Sequence, residues 1–550
     1  MLCAAAASAQ APPRLTVHAD QALRSVPAQL VGANLTSYGK TGSSVADWEP
    51  CCLGPAVTLP QPIALWRAPG GILGDFFHLN GLYDNTNLAG TPNGVDLIHF
   101  VNLAERLRGG LVHILNINAS DQELVNEVEY LNSPAPASPA PGWTPTSFRF
   151  DAVAPAGYFA WLRARHGHPA PALVKYVEIG NEVWNYFNDT DTRCNHVASC
   201  YGVQAAALAQ KLKQKDPSLQ VGVSVLTVGQ SANPGYLARD IYAGFKSAGT
   251  SPDFVFDHGY YNCNRGPENG AQAQASILWA DGIAAAAARN RSELTNAFGA
   301  ARAGQIALFL DEFGPQACGN GPDAWEGFGP WEAAAAAHVY AAALHAGLTY
   351  VSYYSWNGDP GNANAAGYGL VNGTSTVDAN FWGVWLASRF IAGAASEMAV
   401  DGVPAGLRAF AVRSASQLKI LLLNPSPTSP ATVSVAIAGG AAGAASQLRL
   451  NPSYASNGVP TVRSAVPQSA PQPSAANLSA LTLPTLSATL LEMPIFSKGG
   501  GVRERALPPR PRTAPTVRES SRRGPREHRS DPRQPREEAE SRALRSPSSN

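Results

Sequence analysis

Two stretches place acids where apolar strands run out: "VKYVEIGNE", ending at Glu182, and "QIALFLDEFG", in which Asp311 and Glu312 follow five apolar residues. Burying a carboxylate is costly unless it is paired or hydrogen-bonded, so these positions call for a reason. Either glutamate alone reads equally well as a helix-terminus partner or half of an ion pair. Together, at one mouth, they suit glycosidic bond cleavage, in which one carboxyl protonates the leaving oxygen while the other attacks the anomeric carbon or activates water. A separation of about 5 to 5.5 Å gives retention and about 6.5 to 9.5 Å gives inversion.

Other polar residues end neighbouring apolar runs: Arg67 after "IALW", Asn116 and Asn118 in "GLVHILNIN", Asn181 beside Glu182, His258 and Tyr260 in "DFVFDHGYY", and Trp356 and Asn357 in "TYVSYYSWNG". Arg67 either fixes the charge of a carboxylate or clamps the Pro69-Gly70-Gly71 turn. Tyr260 can donate to Glu312. His258 reads as a substrate contact or as a satisfied structural histidine, and Trp356 as an apolar floor under a sugar ring or as core. Asn116 joins the substrate-binding set by its place at a strand end.

Bringing these residues together requires strands that all end on one face. Counting from "AQLVGANL", eight strand candidates alternate with helical material such as "DQELVNEVEYLN", where Leu124, Val128 and Leu131 recur at helical spacing. Continuous apolar strands separated by helices indicate a parallel sheet buried on both faces, and eight such units predict an α/β fold closed as a (β/α)8 TIM barrel, with the working residues at the C-terminal strand ends. The rival, a doubly wound open sheet, would carry a glycine-rich phosphate loop, and "GANLTSYGK" is a poor one. From about Gly393 the pattern changes to short alternating runs separated by Pro, Gly and Ser, as in an antiparallel β-sandwich. The expected organisation is therefore a signal-like or disordered N-terminus over 1–13, a strand over 14–25 joining the sandwich, the barrel over 26–392, the sandwich over 393–497, and an Arg/Pro-rich disordered tail over 498–550.

The 550 residues carry 40 basic and 40 acidic side chains and are 45% hydrophobic. That balance points to neither nucleic acid nor an anionic membrane surface as partner. No apolar run reaches the roughly 18 residues of a membrane span. "MLCAAAASAQAPP", with Ala7-Ser8-Ala9 as a cleavage site, predicts a secreted or periplasmic protein. Of seven cysteines, Cys194 and Cys200 are close enough to bridge. His196 between them does not complete a recognised zinc spacing. Cys263 and Cys318 follow adjacent strands and are expected to form a disulfide, whereas Cys51-Cys52 has no obvious partner.

The segments "RAPGGILGDFF", "NEVEYLN", "RARHGHPAPALVKYVEIGNE", "DHGYY" and "LFLDEFG" together resemble the clan A retaining glycoside hydrolases, most closely family 51, the α-L-arabinofuranosidases with some endoglucanases. The resemblance runs from about Gly32 to Trp385. It implies that Glu182 is the acid/base and Glu312 the nucleophile, that Asn181 hydrogen-bonds the sugar 2-hydroxyl, and that Arg67 and Tyr260 support Glu312. The implied partner is a carbohydrate substrate, with no metal or organic cofactor. β-Glucuronidases, β-xylosidases and endoglucanases of the clan share the two glutamates, and a catalytically silent carbohydrate-binding barrel is the alternative of another class. Val183-Trp184-Asn185 stands where the arabinofuranosidases have Met-Asp-Gly, and "GPQACGN" follows the second glutamate where they are aromatic-rich. The sequence sets no oligomeric state.

Overall fold

A computed structural model describes residues 11–36, 55–56, 58–81, 96–138, 143, 150–184, 193–226, 237–261, 270–315, 331–356, 369–372, 376–377, 379–450 and 473–496. The tail over 498–550, Asn357, Cys51, Cys52, Cys263 and Cys318 lie outside them, as do most residues following the two glutamates.

Strand β1 (Arg14–Ser25) is followed by eight strands that close a parallel barrel: β2 (Val31–Asn34), β3 (Leu65–Ala68), β4 (Gly110–Leu115), β5 (Tyr176–Ile179), β6 (Gln220–Ser224), β7 (Phe254–Tyr261), β8 (Ala307–Pro315) and β9 (Tyr350–Tyr353), with β9 pairing back onto β2. Alternation along each strand sorts side chains into layers on the barrel axis. The lowest is a plug of Leu65, Val112, Phe254, Phe256, Phe309 and Tyr350, with Phe254 stacked on Phe309 at 4.3 Å. Two residues further along, the same faces present Arg67 on β3, Glu178 on β5 and Asp311 on β8, all fully buried.

In β8 that alternation breaks. Asp257 of β7 pairs with Leu310 but His258 pairs with Glu312, and on the other side the register to β9 also gains one residue on β8 between Leu310 and Phe313. Asp311 is the extra residue of a β-bulge. Two consecutive acids therefore both reach Arg67, which a regular strand would prevent.

The helices between strands shield the barrel from outside. Helix Asp121–Asn132 begins at a Ser120 cap that accepts from the Glu123 amide at 3.1 Å, and it buries Leu124, Val128 and Leu131 as their spacing predicts. It also buries three acids: Glu123 lies against His78 at 2.5 Å, Glu127 against His113 at 3.1 Å, and Glu129 accepts from the Phe159 amide at 3.1 Å.

β1 lies outside the barrel's sheet and pairs antiparallel with Ser396–Asp401 and parallel with Ala431–Ala438, inside a ten-stranded sheet built otherwise from C-terminal strands. Strand Gln417–Asn424, "QLKILLLN", explains how this sheet attaches. Leu418, Ile420 and Leu422 enter the sheet's own core, while Leu421 and Leu423 join the barrel's core, so the apolar run is continuous because both faces are covered. Polar contacts tie the same seam: Arg389 forks onto Glu492, and Lys419 Nζ donates to the carbonyls of Arg389 and Ala392.

Candidate active site

The site is organised around Arg67, whose guanidinium is wholly buried. Its Nε donates to Glu178 Oε2 at 2.7 Å and lies 3.3 Å from Asp311 Oδ2. Nη1 donates to Glu312 Oε1 at 2.6 Å and to Asn34 Oδ1 at 2.9 Å, and Nη2 donates to Asn181 Oδ1 at 2.8 Å. The planar fork suits this task, since it presents fixed donors to several acceptors at once. Clamping the adjacent turn is thus secondary to holding three carboxylates.

Glu312 is held at both oxygens. Oε1 takes Arg67 and the backbone amide of Gly71 at 3.2 Å, and Oε2 takes the hydroxyl of Tyr260. Gly71 is required there: its φ is +77°, and a Cβ would meet the Tyr354 hydroxyl at 2.4 Å. Glu182 stands across the mouth at the end of β5, 14% exposed, reached through Gly180 at φ +73°. His258 lies between the two glutamates, with Nδ1 3.0 Å from Glu182 Oε1 and 3.4 Å from Glu312 Oε2, and Nε2 3.3 Å from Asp311. Burial alone would disfavour charge on His258, but Glu312, Asp311 and Glu182 outweigh it and hold the imidazole well above its usual range. Its place between these acids favours the protonated ring.

One oxygen of Glu182 and one of Glu312 come within 4.8 Å of each other and of a His258 nitrogen. Such a trio has the donors for a divalent cation. Arg67 already neutralises Glu312 at 2.6 Å and would repel one, and Tyr260 donates to the same carboxylate, which suits this group to proton transfer. The oxygen separation falls toward the shorter of the two ranges for paired carboxyls.

The remaining residues divide. Asn181 is buried, with Oδ1 on Arg67 and its backbone N–H donating to Asp75 Oδ1 at 2.6 Å, and its Nδ2 has no protein partner among the described residues. Asn116 accepts the Asn118 amide at 2.9 Å, and its Nδ2 is likewise without a partner; it shapes the turn after β4 and touches neither glutamate in the described contacts. Trp356 requires a correction. It is fully buried, edge-on to Trp66 at 5.1 Å and against Phe381 at 5.9 Å, and packs the barrel wall instead of presenting a face to a sugar. Sequence reading missed Glu178, Asp75 and Asn34. Glu178 had a signal, because it shares a strand face with Tyr176 and interrupts an otherwise apolar run.

No family model and no curated protein matches this chain. Solved structures do. An α-L-arabinofuranosidase of Thermotoga maritima in complex with arabinose superposes with a TM-score of 0.65 at 14% identity, covering 88% of this chain and 100% of that one. A family 51 arabinofuranosidase of Xanthomonas axonopodis pv. citri gives 0.63 at 16%, covering 88% and 100%. A family 44 endoglucanase of Clostridium thermocellum gives 0.53 at 12%, with the same coverages. At these identities the likeness is one of fold: a (β/α)8 barrel with a β-sandwich, shared with clan A glycoside hydrolases of families 51 and 44.

Proposed function

We propose that this chain is a retaining glycoside hydrolase acting on carbohydrate side chains or oligosaccharides, with α-L-arabinofuranosidase as the first activity to assay. The observation that supports it is the pair Glu182 and Glu312, with oxygens within 4.8 Å across the mouth and the second glutamate tied to Arg67, Gly71 and Tyr260. Glu312 Oε2 carries one donor where Oε1 carries two, and it faces His258 and Glu182, so it is the attacking oxygen. It bonds to the anomeric carbon as the glycosidic C–O bond breaks, and Glu182 gives its proton to the departing oxygen. The ester removes the charge on Glu312 that favoured a proton on Glu182. Glu182 then takes a proton from water, whose oxygen attacks the anomeric carbon and releases Glu312 as a carboxylate. Asn181 Nδ2 is placed to donate to a sugar hydroxyl.

The Ala-rich N-terminus and the Cys194–Cys200 disulfide, Cα atoms 5.5 Å apart, support secretion or a periplasmic location. The family 44 likeness favours a β-glycosidase of the clan as second reading. Turnover of aryl glycosides decides among these readings. Aryl α-L-arabinofuranoside should be hydrolysed with retained configuration, the activity lost in Glu312→Ala and partly restored by azide. An inverted product overturns the nucleophile assignment, and sugar binding without turnover of any aryl glycoside overturns the enzyme.

A further inference from the structure

Below the two glutamates lies a second pair of acids that the double displacement does not use. Glu178 and Asp311 are both fully buried, and both converge on one N–H, Nε of Arg67, at 2.7 and 3.3 Å. One N–H cannot satisfy two carboxylates. Glu178 Oε1 has no well-aligned donor among the described residues, and Asp311 has only Arg67 Nε and His258 Nε2, each at 3.3 Å, near its oxygens. Two ionised carboxyls so placed would repel each other and leave buried lone pairs unmet. Arg67 and His258 between them contact four acids, Glu178, Asp311, Glu312 and Glu182, so the cluster holds more carboxyls than cations.

We propose that Glu178 is a neutral carboxylic acid whose proton lies between its Oε1 and Asp311, and that this pair is a positioning device which commits the Arg67 charge to Asp311 and Glu312. Burial, with the Asp311 charge adding to it against the opposing Arg67, pushes the Glu178 carboxyl well above the usual range. Burial would raise Asp311 as well, but Arg67 and His258 hold it below. The groups acting on Glu178 are Arg67 from β3, Asp311 from β8 and the Tyr350 hydroxyl from β9, and Arg67 is the one cation among them. An ionised Glu178 would instead compete with Glu312 for the Arg67 charge.

The kinetic arm of the test rests on the glycosidase reading, whereas the spectroscopic arm stands without it. Glu178→Ala should lower kcat at least about tenfold, as expected for loss of a buried charge-assisted contact. Glu178→Gln, which can donate an amide N–H to Asp311 and accept from Arg67, should restore kcat to within about threefold and keep the wild-type pH profile. Infrared spectra of Glu182→Gln protein labelled with carbonyl-13C glutamate should show an isotope-shifted carboxylic acid stretch at neutral pH that Glu178→Gln removes. Absence of that band, failure of Gln to rescue Ala, or an unaffected Glu178→Ala each overturns the proposal. Should Glu178→Gln not fold, the labelled band in the Glu182→Gln protein decides alone.

Discussion

Replacing Tyr260 with Phe removes one hydroxyl, and its effect separates the two half-reactions. The hydroxyl donates to Glu312 Oε2, the oxygen that becomes the ester oxygen in the double displacement proposed above. In the free enzyme this bond stabilises a full carboxylate charge, and the charge fades as the first transition state forms. Loss of the donor therefore raises the starting state at least as much as the first barrier, and kcat/KM should not fall. In the second step the charge returns, and the barrier loses a donor that the ester never needed. A hydrogen bond to a charged group is worth about 1.5 to 3 kcal/mol. Half-developed charge in the transition state makes that about 0.8 to 1.5 kcal/mol, or roughly a four- to twelvefold fall in kcat. KM should fall in proportion. The assay is stopped-flow release of a good aryl leaving group: Tyr260→Phe should show a burst of one equivalent followed by slow turnover. A parallel fall in kcat and kcat/KM without a burst would refute the reasoning and place the hydroxyl on the substrate instead of on Glu312.

Gly71→Ala combines a left-handed backbone angle, costing about 1 to 2 kcal/mol, with a Cβ 2.4 Å from the Tyr354 hydroxyl. The melting temperature should drop and kcat/KM with it, because the amide on Glu312 must shift; lower stability with unchanged kcat/KM would show that this amide does not support the nucleophile. His258 is held protonated by Glu312 and Asp311 in the folded chain, so its stabilisation is complete below about pH 6.5, the ordinary imidazole value, and is lost as pH rises through its raised folded value. Urea midpoints should decline on the alkaline side, and His258→Gln should remove that slope; an identical slope in the variant assigns it elsewhere. The Cys194–Cys200 bridge closes a six-residue separation, so reducing it should cost about 2 kcal/mol of stability by chain entropy and leave kcat unchanged. A loss of activity with full stability would tie that loop to the substrate.

Much of this architecture was legible in the residues because its signals are local. Apolar runs ending in polar residues mark strand ends, helical spacing marks the shields between them, and at the C-terminal ends of a closed barrel those polar residues must converge. Arg67, Asn181, Glu182, His258, Tyr260 and Glu312 all follow that rule. Trp356 follows it too and is nevertheless core, because strand position does not say whether a large ring faces the axis or the wall, and Trp66 and Phe381 take it up. The continuous apolar strand Gln417–Asn424 likewise conceals that its second face meets the barrel. Such facts depend on packing between distant segments, which spacing does not encode.

The β8 bulge shows why the floor of the site was hidden. Period-two alternation makes Asp311 and Glu312 face opposite ways, so a sequence reader assigns one of them to chemistry and the other to structure. One inserted residue brings both to Arg67, and the arginine then has three carboxylates instead of two. From that point Glu178 cannot be an ordinary ion-pair partner: the same N–H already has a charged acid beside it, and both acids are fully buried. A register shift on one strand thereby dictates the protonation of a residue on another. A variant that deletes Asp311 and restores regular pairing would free Arg67 Nε for Glu178 alone. If it folds, the labelled carboxylic acid band should disappear at neutral pH, because Glu178 then has the arginine to itself and can ionise. Persistence of the band would mean that burial, and not the bulge, holds the proton.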